Sequence, residues 1–163
     1  MDEDIQAQYA RSFRGKLYML AANRDIPLRL SSSSDKFTWG FIPEDDWLQA
    51  GGRHDSPAMD FQFNSRTEDR LHYHISIPGR PQTKKLGVSR NGYLGFYWNA
   101  EVTNYWKIEP LEVTDEGLVC YLRDHRGHRV GAIKDDPHRS GDWVACLNVE
   151  EGDVFTFLLK QVN

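Results

Sequence analysis

The chain has 163 residues, of which 39% are hydrophobic and 12% aromatic, and a formal net charge of −4. That length suits one domain with its own core, or a repeat that closes on itself, and the composition is globular rather than disordered. No run of Lys and Arg is long enough to track a phosphate backbone against the acidic average field, which argues against nucleic acid, and no stretch of about 18 apolar residues offers a membrane span.

Residues 1–14, MDEDIQAQYARSFR, are acidic and polar where a secretory signal would be basic and then apolar. They read as an extension ahead of the fold, and a cytoplasmic location is expected. From residue 15 onward, apolar runs recur in a fixed order. KLYMLAA, PLRLSS, TWGFI and MDFQFN make a first series, about 15–65. RLHYHISI, KLGVSR, YLGFYW and NYWKIEP repeat it over about 66–115, and GLVCYLRD, RVGAIK, WVACLN and DVFTFLL over about 116–163. A small residue recurs in the third run of each series, Gly40, Gly95 and Ala145, and an aromatic in the fourth, Phe61, Trp106 and Phe155.

Twelve short runs with period-two alternation and turn residues between them predict an all-β domain of three four-strand units. One such unit would leave its apolar face wet, so the three must pool their inward residues and close the sheet. This pattern resembles the β-trefoil superfamily over residues 15–163. The ricin-type, sugar-binding branch carries Gln-x-Trp near the end of each unit. The matching places here are Met59-Asp60-Phe61, Asn104-Tyr105-Trp106 and Asp153-Val154-Phe155. The plainer run VCYLRD, GHRVGA and VFTF is more similar to the fascin-like branch, whose members bundle or bind protein partners.

The repeat also sorts the aromatics. Phe61, Trp106 and Phe155 are expected to form a layer of one shared core, with Phe96 buried beside it. Trp98 and Tyr105 have no aromatic counterparts in the other units, so the core does not require them. They flank the connection Asn99 to Asn104, where two rings bordered by side-chain amides would hold a small polar ligand such as a sugar. Trp98, Asn99, Asn104 and Tyr105 are therefore the candidate ligand site, and the competing expectation is that the N-terminal segment covers the rings.

Loops carry function on a rigid scaffold, so the places where the repeat is unequal are informative. Residues 43–58, PEDDWLQAGGRHDSPA, are expected to form a long acidic loop carrying Trp47, Asp45 and Asp46, made deformable by Gly51-Gly52. Residues 76–85, SIPGRPQTKK, are expected to form a stiff, exposed basic loop carrying Arg80, Lys84 and Lys85. Separate acidic and basic patches would suit a protein partner.

No GxSxG, HExxH or Walker glycine loop is present, so no enzyme, catalytic residue or cofactor is expected. His72 and His74 share one face of a predicted strand, directed to solvent or the rim, and lack a third ligand, so no metal site is expected. Cys120 and Cys146 read as small buried hydrophobes rather than a redox motif or zinc framework. The expectation is a non-enzymatic module recognising a protein partner through unequal loops, with lectin-like carbohydrate binding or protease inhibition as alternatives.

Overall fold

A computed structural model describes residues 1–32, 46–79, 82–98, 105–134 and 144–163. The chain opens with a seven-residue helix, α1 (Glu3–Tyr9). The Asp2 carboxylate caps it by accepting from the Asp4 amide at 2.7 Å, and Glu3 and Asp4 place negative charge in the first turn. Ile5 and Tyr9, four apart and so on one face, are its buried residues.

Thirteen strands follow among the described residues, joined in one antiparallel sheet. They are β1 (Phe13–Ala21), β2 (Arg24–Leu30), β3 (Leu48–Gly51), β4 (Met59–Arg66), β5 (Leu71–Ile77), β6 (Lys84–Val88) and β7 (Leu94–Tyr97). Then come β8 (Trp106–Thr114), β9 (Gly117–Arg123), β10 (Gly131–Lys134), β11 (Val144–Asn148), β12 (Asp153–Val154) and β13 (Thr156–Val162). Where a strand has one wet face, burial alternates, as in β9, whose Leu118, Cys120 and Leu122 are all fully buried.

The ladders return on themselves. β1 pairs with β4, β4 with β5, β5 with β8, β8 with β9, β9 with β13, and β13 with β1. This ring has no free edge, which removes the liability of an open sheet. Its interior holds Leu17, Met19, Met59, Tyr73, Trp106, Leu118 and Leu159, each 3% exposed or less. β8 passes Pro110 beside a bulge, the position at which a sheet tolerates a residue without an N–H.

Three hairpins, β2/β3, β6/β7 and β10/β11, project from one end of the ring. Each carries a buried apolar pair across its ladder: Leu28 with Ala50, Leu86 with Phe96, and Ala132 with Leu147. The hairpins meet one another through the β3–β11 ladder and the Trp47–Gly95 and Tyr93–Asn148 bridges. At the opposite end, where β1 begins and β13 finishes, α1 docks. Tyr73 donates its hydroxyl to the Tyr9 carbonyl, Arg66 donates to Gln6, and Gln161 donates to the Gln8 carbonyl at 2.6 Å.

Two sequence expectations are corrected here. The third run of the first series, TWGFI, lies outside the described residues, and the strand that pairs with β2 is β3, within the stretch expected to be a loop. All four residues of β3 are buried, so the run LQAG has no wet face and hence no alternation to betray it. Phe155 is only partly buried and falls in the break between β12 and β13, whereas Phe157 and Leu159 are fully buried. The chain passes there from pairing with β10 to pairing with β1, and the inward phase resets.

Candidate functional site

Trp98, just beyond β7, is 47% exposed. Lys84 of β6 lies over its ring with Nζ 4.5 Å from the centroid, and the Gln82 amide donates to the Trp98 carbonyl at 3.1 Å. Cation and indole attract through the ring quadrupole, so the side chain is held in place without being covered. None of the α1 contacts above involves Trp98. Tyr105 has other partners: its ring stacks parallel on His72 of β5 with centroids 4.4 Å apart, and Lys107 Nζ stands 6.0 Å from its centroid. Asn99 and Asn104, expected between the two rings, lie outside the described residues.

His72 does not face solvent. It is 6% exposed beneath Tyr105, with Nδ1 2.9 Å from the Ser65 hydroxyl. Burial, followed by the charges of Lys107 and Arg70, holds its pKa below the ordinary histidine value; burial, followed by Lys85, does the same for His74.

Trp47 is buried at 7% exposure, stacked on Tyr93 with centroids 4.8 Å apart and packed with Val144 and Cys146. Ser31 holds it there: the Trp47 amide donates to Ser31 Oγ at 2.9 Å, and the Asp46 amide donates to the Ser31 carbonyl at 2.9 Å. A Cβ at Gly95 would come within 2.8 Å of the Tyr97 hydroxyl and 3.2 Å of Trp47 Cδ1, so only glycine fits under the indole. Asp46 forms an ion pair with Lys84, and the acidic and basic stretches meet at that point instead of standing as separate patches. Lys85 is exposed; Asp45 and Arg80 lie outside the described residues.

A cleft of about 460 Å³ opens where the turn after β3 returns past β2. Leu28, Leu30 and Pro57 form its apolar wall, and Arg29, Arg53, His54 and Asp55 line the rest. Gly51 and Gly52 make the turn with φ of 124° and 87°, values that side-chain-bearing residues rarely adopt. A Cβ on Gly52 would stand 3.2 Å from Arg29 Cδ, so the Arg29 stem runs along the glycine backbone. The return of the turn is pinned. Asp55 accepts from Lys16 Nζ at 2.8 Å, from the Tyr18 hydroxyl at 2.6 Å and from the Ser56 amide at 2.9 Å. These donors, Lys16 first and then Tyr18, pull the Asp55 carboxyl down to about 2, while burial and then Asp55 push Tyr18 up to about 12. Ser56 Oγ donates to the Leu17 carbonyl at 2.6 Å and accepts from the Leu28 amide at 2.7 Å, stapling the turn between β1 and β2.

Glu109 is enclosed by Arg123, whose Nε stands 2.5 Å away, and by Arg70 at 3.9 Å. Cys120 and Cys146 are buried and not joined in a disulfide, and burial pushes the Cys120 thiol up to about 12, which makes it a poor nucleophile. Among the described residues no three His, Cys, Asp or Glu side chains converge on a metal position, and no helix is long and apolar enough to cross a membrane.

No protein-family model, curated protein or solved structure matches the chain. Its chemistry must be read from its own residues. The cleft residues Arg29, Arg53 and His54 went unmarked in the sequence because Arg29 sits in a strand far along the chain from the other two. The available signal was local: a Gly-Gly pair followed at once by Arg, His, Asp and Ser, in the stretch where the repeat is unequal.

Proposed function

We propose that the chain is a β-trefoil and works as a non-enzymatic binding module that recognises a protein partner around Trp98. Support for the trefoil comes from the six-strand cycle of ladders, the three hairpins at one end of it, and the contacts of those hairpins with one another. The single observation carrying the binding surface is the half-exposed Trp98, with Lys84 lying over its ring. A large ring fixed at the surface beside a lysine is the composition of an interface anchor, and its partner would present an apolar pocket.

Affinity capture from the source cell with the wild-type chain and with Trp98→Ala tests this reading. A protein retained by the first and lost with the second supports it, and equal retention by both sinks it. Sugar binding is the second reading, favoured by the Gln82 side chain, whose amide donates to the main-chain carbonyl of Trp98, since rings flanked by amides also hold sugars. Trp98-dependent signal on a glycan array would move the assignment there.

A further inference from the structure

We propose that the outer part of β8 is a docking edge for an extended, cationic segment of a partner protein. β8 runs on past the ring. It meets β5 only through Trp106, Lys107 and Ile108, whereas its ladder with β9 continues to Thr114 opposite Gly117. In an antiparallel ladder alternate residues direct their backbone N–H and C=O groups to opposite sides, so along 111–114 the groups that β9 does not use have no strand beside them among the described residues. Such an edge is a ready template for one more strand. It shares no residue with the surface around Trp98, so the two proposals stand or fall separately.

The side chains define the occupant. Leu111 and Val113 are 47% and 40% exposed on this edge, apolar surface that an added strand would cover. Between and beyond them stand Glu112, Asp115 and Glu116, all exposed. No ion pair among the described residues engages these three carboxylates, whereas Glu109 is already held by Arg123 and Arg70. Carboxylates without counter-charges beside two apolar side chains suit a segment in which Lys or Arg alternates with apolar residues. The same charges disfavour a second copy of this chain, because two β8 edges paired with each other would bring like charges together. The edge is also braced. Thr114 Oγ1 donates to the Gly117 carbonyl and accepts from the Glu116 amide, both at 3.2 Å, and a Cβ at Gly117 would collide with the Leu159 carbonyl, so the hairpin tip lies close against β13. A preformed edge loses little entropy on docking.

Amide chemical-shift titrations of the whole chain test the proposal. The probe is a short peptide alternating lysine and valine. Its fully N-methylated form keeps the charge and side chains but has no backbone N–H to donate, and a peptide alternating glutamate and valine reverses the charge. Saturable shifts centred on Leu111, Glu112, Val113 and Thr114 are expected with the first peptide and with neither of the others. Glu112→Lys, at an exposed position, should raise Kd about fivefold or more, while Glu151→Lys, exposed on another turn, should leave it unchanged. The edge is refuted by an absence of saturable shifts, by shifts centred elsewhere, by equal binding of the N-methylated or the acidic peptide, or by a Kd insensitive to Glu112→Lys. Equal losses in both variants would reduce the effect to the general field and refute it. Shifts of the same amides with protein concentration alone would give the edge to a second copy and refute it too.

Discussion

Asp46 adopts a left-handed backbone at φ 63°, and that single torsion turns the chain so that Trp47 enters beneath Gly95. Aspartate tolerates this region better than most residues. Because the indole and the Gly95 backbone are in contact, Gly95→Ala is expected to cost about 1–3 kcal/mol in a urea unfolding experiment, by forcing Trp47 off its stack on Tyr93. Gln49, on the neighbouring strand, is fully buried. Its Oε1 has no hydrogen-bond partner among the described residues, and its amide makes only a 3.7 Å contact with the Cys146 sulfur. Replacing it by the similarly shaped methionine should raise stability by about 1 kcal/mol, since a buried acceptor without a donor is removed. Trp98→Ala, by contrast, should move the unfolding midpoint little, because an exposed ring contributes little to the core.

At one end of the ring α1 supplies what the strands cannot. Tyr73, fully buried in β5, would keep an unpaired hydroxyl if the Tyr9 carbonyl were absent, and the rings of Tyr9 and Phe13, 5.9 Å apart, would open to water. Deleting residues 2–9 is therefore expected to lower stability by about 2–5 kcal/mol, measured by urea unfolding. Nothing in residues 1–14 signals this helix strongly. Seven residues make barely two turns, too short for an apolar stripe to show as a period, and a helix of that length persists only because it packs. The strands of the ring are the converse case. Leu118, Cys120 and Leu122 alternate with partly exposed neighbours and can be recognised without any knowledge of their partners.

Across the molecule, Trp106 joins ring and hairpins. It is 3% exposed, lies opposite Tyr73 in the β5–β8 ladder, and donates its indole N–H to the Leu86 carbonyl at 3.0 Å. Trp106→Ala should cost about 3–5 kcal/mol, and a loss under about 1 kcal/mol would place it outside the cooperative core. Acid is expected to weaken the fold through His72 and His74, both held below their unfolded value of 6.5 chiefly by burial. A histidine whose folded pKa is lowered takes up its proton more readily in the unfolded chain. Stability is therefore complete above 6.5 and falls as the pH drops from there toward the folded values. Thermal unfolding between pH 8 and 5 should show this decline, and His72→Gln should flatten it; an unchanged profile in that variant would remove His72 as a cause.

The chain on its own reveals its β character, the apolar runs that supply its strands, and Trp98 as an aromatic surplus to the core. Period-two alternation is a local property, visible wherever one face of a strand is wet. It fails for β3, buried on both faces, and at Phe155, where the chain changes partners. The remaining features arise from approach between distant segments. Trp47 lies in a polar stretch and becomes buried only because Tyr93, Val144 and Cys146 are brought over it. Asp46 and Lys84 look like opposed surface charges until folding makes them one ion pair. The cleft combines Arg29 of β2 with a turn more than twenty residues later, held by Lys16 and Tyr18 of β1. Burial, pairing and concavity are relations between residues far apart in the chain, which closing the ring of strands alone brings into contact.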